Sequence, residues 1–122
     1  MIEGALIGES LRTGAELSGP RLAVTRIGRA AMGDPGLGQP ALWTFFEFEA
    51  DEGEAEPLAR LLAQALLAEG GWYADFRTPR ETWVVYAGRV FRYPRGDAAG
   101  RAEAVAYGRA RGVPEDQLDW PV

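Results

Sequence analysis

Apolar and polar residues alternate along several stretches of the chain, which predicts β-strands. The clearest stretch is 42–50, where Leu42, Thr44, Phe46 and Phe48 share one face, which we assign to the core. The opposite face changes along the strand from aromatic to acidic: Trp43, Phe45, Glu47 and Glu49. The same alternation predicts further strands at 21–30, 72–77, 82–87 and 90–93.

The stretch from Gly4 to Leu11 fits two structures. Its apolar residues match one face of a helix, but a short apolar run followed by turn residues also fits a buried strand. We favour the strand. Further along, the closely spaced glycines and prolines of Gly33–Pro40 predict a loop that joins two strands.

The strands of the second half are joined by short turns. Residues 78–81 form one turn, and Ala87-Gly88 predicts a tight hairpin, because glycine readily adopts the positive φ that such turns need. We therefore expect the strands between Trp72 and Tyr93 to form an antiparallel meander.

Two segments have the apolar spacing of helices. The first is Glu56–Glu69, with Gly70-Gly71 expected to end it; its apolar stripe is Leu58, Leu61, Leu62, Ala65 and Leu66. The second is Ala98–Arg111, with Asp97 as its N-cap and Gly112 after its end. The inner face expected for the second helix is Ala99, Ala102, Val105 and Ala106.

The elements follow the order β-β-β-α-β-β-β-α and predict one α+β domain over residues 1–122. We expect a largely antiparallel sheet of about six strands with both helices packed on one face. The other face would then need cover from loops, from the tail around Trp120, or from a second subunit. The many aromatics of the meander favour a homodimer through that region.

The composition removes several kinds of chemistry. The chain has no cysteine, histidine or lysine, and all thirteen of its basic residues are arginine. Disulfides, thiolate metal sites, Ser-His-Asp or Cys-His catalysis and Schiff-base chemistry are therefore excluded within this chain. Carboxylates, hydroxyls and arginines remain as candidate functional groups.

The net charge of −5 argues against nucleic acid as a partner, because non-specific nucleic-acid binders are usually basic. No apolar run reaches the roughly 20 residues that cross a bilayer, and no stretch has the order of a signal peptide. We therefore expect no membrane association and a cytoplasmic location.

An acidic run between Glu47 and Glu56 is the densest charge in the chain. Its spacing does not match an EF-hand loop, and part of it precedes the first helix, where carboxylates complement the helix dipole. We interpret the run as a solvated edge and expect neither a metal site nor a cofactor. Paired carboxylates for acid–base catalysis are not indicated by spacing either.

Aromatic residues and arginines alternate through the meander. Plain packing is the favoured reading, with a protein interface or a ligand surface as alternatives, because both use aromatic and arginine side chains. Six residues are the candidates for binding a ligand or partner: Trp72, Tyr73, Asp75, Trp83, Tyr93 and Arg95. No catalytic residue is assigned.

Several segments carry recognisable motifs. Residues 71–76 read GWYADF, 90–97 read VFRYPRGD and 112–120 read GVPEDQLDW, with Gln39-Pro40 and Trp43-Thr44 upstream. In these motifs the chain resembles a family of small bacterial proteins with no established function, and the resemblance covers about half of the chain. The resemblance implies a common compact fold and implies no activity.

Two functional hypotheses remain open. The lack of histidine, cysteine and lysine favours a non-enzymatic module that binds a protein partner or a second copy of itself. The alternative is a small enzyme or small-molecule binder that uses carboxylates with tyrosine or arginine in a cleft beside the first helix. A flat exposed apolar patch would favour the first, and a deep pocket with converging carboxylates and arginine the second.

Overall fold

The computed structural model describes residues 1–36 and 38–121; Leu37 of the predicted loop and the last residue, Val122, lie outside the described part. The described residues form six strands and two α-helices. The strands are β1 (Ile2–Ile7), β2 (Ala23–Ala31), β3 (Leu42–Ala50), β4 (Ala74–Arg77), β5 (Glu81–Tyr86) and β6 (Arg89–Pro94). The helices are α1 (Ala55–Ala65) and α2 (Ala98–Ala110).

All six strands belong to one antiparallel sheet, in the spatial order β2-β3-β1-β4-β5-β6. The α+β class, the antiparallel sheet and the order of elements along the chain are thus confirmed. The spatial order departs from chain order at β1, which lies between β3 and β4 and pairs with both. The ambiguous N-terminal segment is a strand, Ile2–Ile7.

The prediction that both helices pack on one face is corrected by the structure. Trp83 and Val85 of β5 belong to the core cluster that contains α1. Val84 and Tyr86, which point the opposite way, belong to the cluster that contains Ala104 of α2. Successive side chains of a strand point to opposite faces, so one helix covers each face of the meander. The strand apolar on both sides is buried within the chain, and the open meander face that motivated a homodimer does not exist.

Of the four residues predicted for the inner face of α2, Val105 packs against the cluster on the sheet and the other three do not. Ala99, Ala102 and Ala106 are exposed, whereas Ala104 and Gly108 are buried. A Cβ added at Gly108 would overlap the hydroxyl of Tyr86. The helix therefore has its smallest residues where it lies closest to the rings of the sheet, and the half-buried Val105 and Tyr107 pack beside them.

The first helix ends earlier than predicted, at Ala65. Leu66 is extended and forms an isolated bridge with Leu11. The Arg12 N–H donates to the Ala65 carbonyl at 2.9 Å and the Leu67 N–H donates to the Ser10 carbonyl at 2.8 Å. These long-range bonds satisfy backbone groups that a further helical turn would have used.

The two clusters leave part of the sheet without a helix. The cluster under α2 draws its strand residues from β5 and β6 and extends to Tyr73 just before β4. On that same face, β1, β3 and β2 lie beyond the cluster. Of the two helices in the described residues, neither is long and apolar enough to cross a membrane.

Candidate functional site

A cavity of about 360 Å³ lies on the same face of the sheet as α2, over the strands that this helix does not cover. Its floor is formed by alternate residues of β1 and β3, and its walls by the loop before β3, the segment before β4 and the C-terminal tail. We call it the aromatic cavity. Its principal lining residues are Ala5, Ile7, Asp34, Trp43, Phe45, Trp72, Tyr73, Asp75, Asp116, Gln117 and Asp119.

The aromatic rings of this cavity pack against one another. The ring centroid of Trp43 lies 5.2 Å from that of Trp72 and 6.1 Å from that of Phe45. Trp43 and Trp72 are buried, and the Trp43 indole N–H donates to the Pro40 carbonyl at 2.9 Å. Phe45 and Tyr73 are only half-buried, so ring surface remains available at the cavity.

Two glutamines join the walls of the cavity. The side-chain amide of Gln117 in the tail donates to Gln39 Oε1 at 3.1 Å and to the Pro35 carbonyl at 3.2 Å. Gln39 also donates to the Gly70 carbonyl, and the hydroxyl of Tyr73 donates to the Gln117 carbonyl. The loop, the segment before β4 and the tail are thus held together around the cavity.

Asp75 is the one carboxylate that β4 places in this cavity. Burial raises the pKa of Asp75 to about 6, opposed by the charge of Arg77 and reinforced by that of Asp119. Burial, and then the charges of Asp75 and Asp119, raise the pKa of Tyr73, so its phenol stays protonated and acts as a donor.

A second depression of about 390 Å³ continues along the same face. It shares Ala5, Asp75 and Asp119 with the aromatic cavity. We call it the acidic cleft, because Glu3, Glu47 and Glu49 also line it, and we call the two depressions together the sheet groove. Arg77 is the basic residue of the lining and lies 3.8 Å from the carboxylate of Glu3.

The structure brings three of the six predicted site residues together and separates the others. Trp72, Tyr73 and Asp75 line the aromatic cavity. Trp83 is buried on the opposite face, and Tyr93 is buried under α2, where its hydroxyl accepts from the Trp120 indole at 2.8 Å. Arg95 is exposed after the end of β6.

A polar cleft does lie beside α1, as the enzyme hypothesis expected, but its charges are largely paired. Arg92 contacts Glu81 at 2.7 Å and Glu56 at 3.2 Å, and its guanidinium lies 4.6 Å from the centre of the Trp83 ring. In this network the charge of Arg92 is paired with the carboxylates of Glu81 and Glu56. Over residues 1–36 and 38–121, no group of three or more carboxylates is arranged to hold a metal ion.

Several residues of the groove were not among the sequence candidates: Gln39, Trp43, Phe45, Gln117 and Asp119. The alternation of β3 places Trp43 and Phe45 on the face away from the assigned core, and this is the sequence signal that could have identified them as groove residues. Nothing local relates Gln39 to Gln117, which lie 78 positions apart in the chain. The quoted motifs at 39–44, 71–76 and 112–120 all contribute residues to the aromatic cavity or its walls.

No protein-family model, curated protein or solved structure matches the chain. What the groove can bind therefore follows from its own residues.

Proposed function

We propose that this protein is a non-enzymatic module that binds a protein partner through the sheet groove. The observation that carries the proposal is the position of Asp75, a half-buried carboxylate in a cavity lined by aromatic rings. A carboxylate in such surroundings costs folding free energy, and groups held at such a cost are enriched at functional sites.

The surroundings of the cavity support the same proposal. The loop, the tail and the segment before β4 are joined by side-chain amides, so the walls of the cavity are held in place without a partner. Preorganised walls reduce the entropy that binding must overcome. The acidic lining would repel the phosphates of nucleic acid, which favours a protein partner.

The experiment is affinity capture from a lysate of the native source, read by mass spectrometry, with a variant that fills the groove. Ala5→Leu places a larger side chain at the point that both depressions share. Ala102→Leu, on the exposed side of α2, is the matched control. The proposal expects specific partners to be lost with Ala5→Leu and kept with Ala102→Leu.

Thermal unfolding of both variants separates a blocked groove from a damaged fold. Asp119→Arg provides a second test, since Asp119 is exposed, lines both depressions, and its replacement reverses a charge there. Partners captured equally by the wild type, Ala5→Leu and Asp119→Arg would show that the groove is not the binding surface.

The enzyme hypothesis retains one supporting observation, the pKa of about 6 at Asp75. A carboxyl group that titrates near neutrality in a cavity is suited to proton transfer. A panel of ester, glycoside and phosphate substrates, tested with the wild type and Asp75→Asn, addresses it. Turnover that disappears in Asp75→Asn would favour this second function over simple binding.

A further inference from the structure

We propose that the sheet groove binds an extended segment of its protein partner and seats an arginine side chain of that segment in the aromatic cavity. The inference rests on the proposed function and deepens it by naming the chemistry of the partner. Its support comes from the charge of the groove, from its combination of rings and carboxylates, and from its length.

Negative charge is concentrated in the groove. Seven carboxylates and one arginine line it, and Arg26 of β2 pairs with one of these carboxylates, Glu47, at 3.6 Å, which leaves an excess of five negative charges. The arginine, Arg77, is already close to Glu3. Such a surface favours a cationic partner and disfavours an acidic one.

The opposite face of the same protein provides an internal template for what the aromatic cavity would hold. There the guanidinium of Arg92 lies over the Trp83 ring and contacts the carboxylates of Glu81 and Glu56. The aromatic cavity has the same two components, ring surface at Phe45 and Tyr73 and carboxylates at Asp75 and Asp119, but no arginine among its described lining residues.

A guanidinium suits this combination better than an ammonium ion. It is planar, so it stacks on a ring while its N–H groups donate to carboxylate oxygens at the edge. Tyr73 stays a neutral phenol whose hydroxyl already donates to the Gln117 carbonyl, so the ring face is the part of Tyr73 that can contact a cation. Seating a guanidinium would give Asp75 the charged partner that the chain itself provides only at longer range through Arg77.

The shape of the groove favours a polypeptide segment over a free small molecule. Its floor follows β1 from Ile7 in the aromatic cavity to Glu3 in the acidic cleft. From the first to the fifth of these strand residues the distance is roughly 13 Å at about 3.3 Å per step, which matches five residues of an extended chain. Alternate side chains of that chain would point to the floor, one at Asp75 and the next toward Glu3 and Glu49.

The experiment is a titration of the full chain with a capped octapeptide in which arginine alternates with serine. The matched control peptide has citrulline, the neutral analogue of arginine, at every arginine position. Binding is followed by ¹H–¹⁵N NMR, in which the indole resonances of Trp43 and Trp72 report on the cavity and that of Trp83 reports on the opposite face.

We expect the arginine peptide to shift the Trp43 and Trp72 signals and leave that of Trp83 unchanged, and the citrulline peptide to bind at least roughly tenfold more weakly. Asp75→Asn and Asp119→Asn should each weaken binding of the arginine peptide by roughly three- to tenfold. Glu56→Gln removes one charge on the opposite face and should leave binding unchanged.

Equal binding of the arginine and citrulline peptides, or shifts confined to Trp83, would overturn the inference. No binding of the arginine peptide would overturn it as well. If either result is found but Ala5→Leu still loses the captured partners, the groove remains the binding surface and only the chemistry assigned to the partner is wrong. If Ala5→Leu keeps the captured partners as well, the proposed function fails together with the inference.

Discussion

Gln39 and Gln117 lie 78 positions apart in the chain, yet their side-chain amides bond to each other across the wall of the aromatic cavity. Gln39 belongs to the loop before β3 and is buried, and Gln117 lies in the short turn before the tail. Two amides that each offer a donor and an acceptor satisfy one another in both directions. The pair fixes the distance between loop and tail, and with it the width of the cavity.

This pair should make a measurable contribution to stability. We expect a double-mutant cycle of Gln39→Ala and Gln117→Ala to give a coupling free energy of about 0.5–1.5 kcal/mol, the net value of a typical hydrogen bond. The cycle is needed because each glutamine also bonds to a backbone carbonyl. Urea unfolding of the four proteins measures it, and free energies that simply add would contradict the paired arrangement.

Gly108 should tolerate no side chain beneath α2. Alanine normally favours a helix over glycine by about 1 kcal/mol, but here its Cβ would overlap the Tyr86 hydroxyl. We expect Gly108→Ala to destabilise the protein by about 1–3 kcal/mol, as overpacking does. In a Tyr86→Phe background, which removes the closest overlapping atom and leaves the Leu118 methyl at 2.8 Å, the cost should fall but not vanish. Chemical denaturation of the four combinations gives the answer, and an unchanged cost in that background would place the strain elsewhere.

The α1 helix should contribute to the core through Leu62, which is 1% exposed. We expect Leu62→Ala to lower the free energy of unfolding by about 2–5 kcal/mol, because it removes buried methyl groups and leaves a cavity. Gln64→Ala, at an exposed position two residues along the same helix, is the matched control and should change stability by less than about 0.5 kcal/mol. Similar denaturation midpoints for the two variants would mean that this face of α1 is not in the core.

Asp75 should make the protein less stable as the pH rises from about 4 to about 7. Its folded pKa of about 6 lies above the ordinary value of 3.8, so the folded state holds the proton more tightly than the unfolded state over that range. Stability therefore falls as the proton is lost.

Asparagine at position 75 has no titrating carboxyl group, so the variant lacks this pH dependence. We expect its free energy of unfolding to exceed that of the wild type by on the order of 1–3 kcal/mol at pH 7.5 and to match it near pH 4. Urea midpoints of both proteins at the two pH values test this, with Asp116→Asn as a control at an exposed acid of the same cavity. A constant difference between wild type and Asp75→Asn across the pH range would contradict the expectation.

The elements were largely predictable because their signals are local. The alternation in Leu42–Ala50 and the glycine of the Ala87-Gly88 turn gave the observed strands, and Asp97 caps α2 by accepting from the Ala99 N–H at 3.2 Å. The faces were not predictable in the same way. Leu42 was assigned to the core and is 51% exposed, whereas Trp43 is 5% exposed, because the sheet edge and the aromatic cavity decide which side is covered.

The site was predictable only where one short stretch of the sequence contains it. Trp72, Tyr73 and Asp75 are neighbours in sequence and stay together in the cavity. Trp83 and Tyr93 share the meander but point to opposite faces, since β5 and β6 pair Trp83 with Arg92 and Thr82 with Tyr93. The remaining groove residues come from the loop and the tail, and only the placement of α2 on its own face brings the tail to them.

The central position of β1 constrains how the chain reaches its fold. β1 precedes the other five strands described, yet its two neighbours are β3 and β4, and β4 ends at Arg77. A nascent chain therefore carries β1 with an unpaired edge until β4 has emerged, and pairings of such long sequence separation form slowly. Gly4 lies where Phe48 and Phe76 approach from the two sides, leaving no room for a Cβ. The sheet is thus completed by closing both flanks onto its first strand, and a fragment that ends before β4 would expose that edge to aggregation.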